Sequence, residues 1–215
     1  MADRTTTLGR ILDSGITAVI RAKSSAHLVE VAEAIKAGGV ECIEVTMTTP
    51  DALRVIAEAS KRFGEEVVIG VGSVLDAETA RAAMLAGAEF VVGPCLDLGM
   101  IEMCRTYSKP VIPGALTPTE ILTAWRAGAD LIKVFPAGQL GPTYFRDLLA
   151  PLPQVKLVPT GGVDLETAGA FIKAGAAALC IGSAMMPREA MENGDWGTVT
   201  NLARRFVEEV RKART

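Results

Sequence analysis

The feature that most narrows the fold of this chain is a repeated punctuation. Four stretches with helical periodicity end in Ala-Gly, at Lys36-Ala37-Gly38-Gly39, Leu85-Ala86-Gly87, Arg126-Ala127-Gly128 and Lys173-Ala174-Gly175. A short apolar run follows each within a few residues. Glycine there tolerates the left-handed conformation that ends a helix, and the basic residue in three of the four suits the negative end of the helix dipole. A chain that alternates strand and helix in this way builds a parallel sheet, since each helix carries it back to the start of the next strand.

Eight β-rich apolar runs are expected as strands, at residues 16–20, 40–45, 67–71, 90–92, 110–112, 131–135, 155–159 and 179–181. Between them, apolar residues recur at three- and four-residue intervals over 26–36, 51–63, 77–85, 119–126 and 165–173. Residues 199–212 read as a last amphipathic helix, after a polar connection around 192–195. Helix starts carry cap signals at Thr49-Pro50-Asp51, Asp76-Ala77-Glu78, Thr117-Pro118-Thr119-Glu120 and Asp164-Leu165-Glu166. Eight strand–helix units with no linker and no low-complexity tail predict an α/β fold, a compact (β/α)8 TIM barrel forming a single domain over 1–215. An open doubly wound sheet also alternates, but no Gly-x-Gly-x-x-Gly follows the first strand.

A formal charge of −3 with 22% charged residues leaves no polybasic footprint, which argues against nucleic acid and anionic membrane as partners. The start, Met1-Ala2-Asp3-Arg4-Thr5-Thr6-Thr7, lacks a signal-peptide profile, and no apolar run approaches the roughly 20 residues of a membrane span, so a cytoplasmic location is expected. Cys42, Cys95, Cys104 and Cys180 are too widely spaced for a Cys-x-x-Cys unit and read as buried thiols rather than disulfides or a zinc site. The single histidine, His27, lies on a helical pattern near Ser24 and Ser25 and reads as a surface residue. No metal site is expected.

Chemistry in such a barrel sits at the C-terminal ends of the strands. Alternation assigns the faces there: Ile43 and Val45 pack on helices and leave Glu44 facing the axis, Ile132 and Val134 leave Lys133 and Phe135 inside, and Ile16, Ala18 and Ile20 leave Arg21 inward. Each charge alone reads as a structural ion pair or a rim residue. Three on one face favour a site. Burial disfavours an ammonium, so Lys133 is expected to supply a neutral amine able to form an imine with a ketone. Separately, Pro159-Thr160-Gly161-Gly162 at the seventh strand end and Gly182-Ser183 at the eighth are adjacent turns of the kind that binds phosphate in many such barrels.

The segments "AVIRA", "GGVECIEVTMTTPDAL", "GVGSVLDAETARAAMLAGAEFVVGP", "VIPGALTPTEI", "GADLIKVFPA", "LVPTGGV" and "LCIGSAM" resemble the class I 2-keto-3-deoxy-6-phosphogluconate (KDPG) aldolases, also described as 4-hydroxy-2-oxoglutarate (KHG) aldolases. The resemblance covers nearly the whole chain, from about residue 11 to 211. It implies a (β/α)8 barrel, a homotrimer, that cleaves a phosphorylated keto acid to pyruvate and glyceraldehyde 3-phosphate with neither metal nor cofactor. The same resemblance implies activity on 4-hydroxy-2-oxoglutarate, giving pyruvate and glyoxylate. It further implies Lys133 as the Schiff-base lysine, Glu44 as general acid/base, Thr160, Gly161, Gly162, Gly182 and Ser183 around the phosphate, and Ser73, Pro94 and Phe135 at the pyruvyl end.

Some members carry arginine in Glu-Val-Thr-Leu-Arg-Thr where this chain has Thr48 in Glu44-Val45-Thr46-Met47-Thr48-Thr49, and threonine is frequent at the position of Ser73. The keto-acid carboxylate still needs a cation, and Arg21 is expected to replace the missing one; a plain Arg21–Glu44 ion pair is the competing reading. The alternatives are a 2-keto-3-deoxy-6-phosphogalactonate aldolase, a phosphate-binding isomerase or synthase, which has no need of Lys133, and a non-catalytic trimeric scaffold on the same barrel.

Overall fold

A computed structural model describes residues 3–21 and 27–215. The strands are β1 (Ile16–Ile20), β2 (Cys42–Thr46), β3 (Val68–Gly72), β4 (Val91–Val92), β5 (Val111–Ile112), β6 (Gly114–Ala115), β7 (Ile132–Val134), β8 (Leu157–Pro159) and β9 (Leu179–Ile181). The helices are α1 (Arg4–Ser14), α2 (Leu28–Ala37), α3 (Ala52–Phe63), α4 (Ala77–Leu85), α5 (Leu98–Thr106), α6 (Pro118–Ala127), α7 (Gly141–Leu149), α8 (Ala168–Lys173), α9 (Arg188–Asn193) and α10 (Trp196–Arg214).

All pairings are parallel and run in two arcs, β5-β4-β3-β2-β1-β9 and β6-β7-β8. Chain continuity through Pro113 joins β5 to β6, and a Thr160–Cys180 bridge joins β8 to β9, so the strands curl into a barrel. The run expected at 110–112 is β5, and a further short strand not expected from the sequence, β6, follows Pro113, which has no N–H for a ladder. Pro113 still accepts from the Lys133 N–H at 2.9 Å, which keeps the two arcs in register.

Alternation sorts the side chains as expected. Ile43, Val45, Ile132 and Val134 pack with helix residues such as Val31, Val55 and Phe145 in the outer core. Cys42, Val68, Phe90, Ile112, Val158 and Cys180 form a smaller cluster inside the barrel. A Cβ on Gly70 would lie 2.3 Å from the Phe90 ring, so the missing side chain is what lets that phenylalanine fill the lumen.

Helix α1 closes the N-terminal end of the barrel. Its Ile11, with Leu8 and Leu12, packs on the inner cluster, and Arg4 pairs with Asp130 at 2.8 Å, just ahead of β7. Arg214 of α10 donates to the Leu12 and Asp13 carbonyls, each at 2.7 Å, and so ties the two chain ends together.

The periodicity missed α1, α5, α7 and α9, which are polar, short or interrupted by glycine. The first two carried a readable signal, since the Asp3 and Asp97 carboxylates cap them by accepting from the Thr6 and Met100 N–H groups. The expected helix start at residue 26 lies outside the described residues. Cap signals at Asp76 and Thr117 act as expected, the latter with a reciprocal capping box to Glu120. Asp164 caps a single irregular turn, and regular helix begins only at Ala168.

The glycine reading holds for Gly87, Gly128 and Gly175, with φ of 113°, 96° and 98°. In the first repeat it needs correction: Gly38 is right-handed at φ −81°, and Gly39 takes the positive φ of 94°. Gly38 is glycine because α10 passes against it, where a Cβ would lie 2.4 Å from the Ala203 methyl. Cys42, Cys104 and Cys180 are buried, whereas Cys95 is exposed on the turn after β4, correcting the expectation of four buried thiols. No helix among the described residues is long and apolar enough to cross a membrane.

Candidate active site

The C-terminal strand ends open on the side opposite α1, and β2 and β7 bring the two central groups there. Glu44 is fully buried on the inward face of β2, and among the described residues neither of its carboxylate oxygens has a hydrogen-bond partner. Room for it comes from the neighbouring strand: a Cβ on Gly72 would fall 1.6 Å from Glu44 Oε1. Burial raises the Glu44 pKa above the ordinary carboxylate value, and the positive charges of Lys133 and Arg21 oppose that rise in part. Glu44 is ion-paired with neither of them among the described residues, so the plain ion-pair readings fall away.

Lys133 is 5% exposed on β7, and its Nζ lies 5.1 Å from the centroid of the Phe135 ring, a cation–π contact. Phe135 itself is partly exposed at the mouth. The lysine is therefore held between the barrel interior and an aromatic rim, close enough to Glu44 for the two charges to act on one another.

Beside this pair lies a cleft of about 880 Å³. Arg21, Phe135 and Thr160 line it with the turns at Gly161, Gly162, Gly182 and Ser183. Gly161 and Gly162 have successive positive φ values of 78° and 77°. At Gly162 space also excludes a side chain, since a Cβ would approach Gly138 Cα to 2.7 Å. The N–H groups of Gly162 and Ser183 donate to no acceptor among the described residues, which leaves them available to an anion. The Thr160 hydroxyl is buried with only a weak partner, the Cys180 thiol.

The other expected residues stand elsewhere around the mouth. Thr48 is exposed after β2, with its Oγ1 3.0 Å from that of the buried Thr46. Ser73 follows β3 with φ 59°, a conformation that costs a side-chain-bearing residue about 1–3 kcal/mol. Pro94 follows β4, and a Cβ on Gly114 would meet its carbonyl carbon at 2.2 Å. None of the three lines the cleft that holds the glycine turns. Arg21 does, so it stands on the side of those turns.

Sequence reasoning missed part of the cleft wall. Val19 and Cys180 share the inward parity of Arg21 and Gly182, a signal that was readable. Met191 and Trp196 come from α9 and the start of α10, on either side of the polar connection expected around 192–195. His27 is exposed, as expected, and also lines the cleft. Burial raises the Cys180 thiol to about 12, so it is not a nucleophile here. Among the described residues there is no group of three or more histidine, cysteine, aspartate or glutamate side chains placed to hold a metal ion.

The model of the KDPG and KHG aldolase family matches residues 9–202. A 2-dehydro-3-deoxy-phosphogluconate aldolase of Treponema pallidum is 36% identical over 181 residues, covering 84% of this chain and 86% of the relative. A KHG/KDPG aldolase of Escherichia coli is 34% identical over 201 residues, covering 92% and 93%. Among solved structures, a KDPG aldolase from Legionella pneumophila with pyruvate captured as a covalent carbinolamine intermediate superposes with a TM-score of 0.85 at 28% identity, covering 92% of this chain and 96% of that one.

Proposed function

This chain belongs to the KDPG and KHG aldolase family, and on that premise we propose that it cleaves 2-keto-3-deoxy-6-phosphogluconate to pyruvate and glyceraldehyde 3-phosphate through an imine on Lys133. The observation that carries this reading is a buried lysine at the barrel mouth with a buried, unpartnered carboxylate acting on it. A core has no use for such a pair.

The Lys133 amine attacks the C2 ketone and water leaves, giving a protonated imine that withdraws electrons from the C3–C4 bond. Glu44 takes the C4 hydroxyl proton, the bond breaks, and the aldehyde departs. The remaining enamine is protonated at C3 by the proton Glu44 now holds, and hydrolysis releases pyruvate and the amine. Burial raises the Glu44 pKa, which suits a group that must accept a proton and return it within one cycle.

Gly161, Gly162, Gly182, Ser183 and Thr160 receive the phosphate, and that remote contact helps to hold the reacting carbon over Lys133. Arg21 serves the keto-acid carboxylate, and Ser73, Pro94, Thr48 and Phe135 surround the pyruvyl end. The cycle uses no metal and no cofactor, and 4-hydroxy-2-oxoglutarate is a further substrate. The proposal includes a cytoplasmic location and, on the resemblance alone, a homotrimer; a light-scattering mass that is not three times 22.6 kDa would remove the trimer.

The test is reductive trapping. Borohydride added with pyruvate should leave a stable adduct on Lys133, and Lys133→Ala should carry none. Wild-type protein that stays unmodified ends the imine proposal. Pyruvate release from the gluconate and galactonate epimers, measured side by side, decides the C4 configuration.

A further inference from the structure

Besides the two glycine turns, the same cleft has a wall that the cleavage reaction leaves unused. His27 and Trp196 stand together there, with ring centroids 6.1 Å apart and planes inclined at 46°. Met186 and Met191 line the cleft with them. His27 Nδ1 lies 3.4 Å from Glu30 Oε1, and Arg188, paired with Glu192 at 2.7 Å, stands at the rim.

A six-carbon keto acid joined to Lys133 ends at its phosphate, so nothing in that substrate extends beyond the turns. The cleft, at about 880 Å³, is near the top of the roughly 300–1,000 Å³ range of small-molecule pockets. Its far wall has the chemistry of a ring-binding surface: an indole and an imidazole offer faces for stacking, and thioethers adapt to irregular shapes. Phosphate donors next to an aromatic wall suit a ligand that carries both groups.

We propose that the glycine turns and this wall together bind a phosphomonoester bearing a planar aromatic ring, in chemical class a nucleoside 5′-monophosphate, in competition with the phosphorylated keto acid. The proposal rests on the phosphate reading of Gly162 and Ser183 given above. The phosphate takes their N–H groups, the sugar spans the middle of the cleft, and the base lies against Trp196 and His27. Lys133 and Glu44 make no contact with it, so inhibition is competitive and reversible.

The experiment compares adenosine 5′-monophosphate with ribose 5-phosphate as inhibitors of keto-acid cleavage, in wild-type protein and in Trp196→Ala. The nucleotide is expected to bind about tenfold more tightly than the sugar phosphate, roughly 1.4 kcal/mol. Trp196→Ala should bring the two constants together, and Trp196→Phe should keep most of the gap. Equal constants in the wild type, or a gap that survives Trp196→Ala, overturn the proposal. If Trp196→Ala does not fold, His27→Ala gives the same comparison: a narrowed gap supports the wall and an unchanged gap overturns it. Failure of ribose 5-phosphate to compete at all instead removes the phosphate reading beneath it, a result distinct from equal inhibition by the two ligands.

Discussion

Glu44 is where single-residue chemistry is most exposed to test. Its native pKa is raised by burial, so between the unfolded value and the native one the folded protein binds more protons than the unfolded chain. The carboxylate therefore costs stability as pH rises above its unfolded pKa, and the cost levels off above the native pKa. Glu44→Gln, which cannot ionise, should gain in melting temperature relative to wild type as pH is raised from 5 to 8 while losing about 100-fold or more in keto-acid cleavage. A constant melting difference across that range would contradict the burial argument, and unchanged turnover would remove Glu44 from the mechanism. Arg21 is tested by Arg21→Ala: loss of a charged hydrogen bond to the carboxylate should raise the pyruvate KM about tenfold. An unaltered pyruvate KM with weaker phosphate inhibition would assign it to the glycine turns whose cleft it shares. The inward faces of Glu44, Lys133 and Arg21 were legible because strand alternation has a period of two. The space that Gly72 opens for the Glu44 carboxylate was not legible, because it depends on a neighbouring strand.

Elements here are joined by backbone approaches as much as by side-chain burial, and Gly38 is the clearest case. Its φ of −81° suits any residue, so Gly38→Ala isolates the effect of space. The new methyl would meet the Ala203 methyl and the Thr200 carbonyl, pushing α10 off α2. A loss of about 1–3 kcal/mol is expected from such overpacking, read as a lower denaturant midpoint, and Ala203→Gly in the same chain should restore part of it. An unchanged midpoint would mean that α10 shifts without cost. The four Ala-Gly repeats exposed the strand–helix alternation, but they look alike in sequence and differ in reason: three of these glycines end a helix through a positive φ, and Gly38 is the point where another helix passes. Helices α5 and α7 escaped the periodicity because glycine and proline interrupt them, and tertiary packing overrides that weak local preference.

The whole molecule is a barrel with one end filled and the other chemically equipped. Ile11 is 1% exposed and packs on the inner cluster, so Ile11→Ala should cost about 2–5 kcal/mol through the cavity it leaves. Because α1 closes the end opposite Lys133, pyruvate trapping in the folded fraction should survive. Chemical denaturation and borohydride trapping on the same sample check both halves, and an unchanged midpoint would show that α1 does not close the barrel. By itself, the sequence determined the alternation, the parallel sheet and the inward direction of Glu44, Lys133 and Arg21, since these follow from periods of 3.6 and 2 along one chain. Only the tertiary structure decided that Arg21 shares a cleft with the glycine turns while Thr48, Ser73 and Pro94 do not, and that Trp196 meets His27 in the same cleft. Those outcomes depend on how segments more than a hundred residues apart are brought together as the barrel closes, and no local period carries that distance.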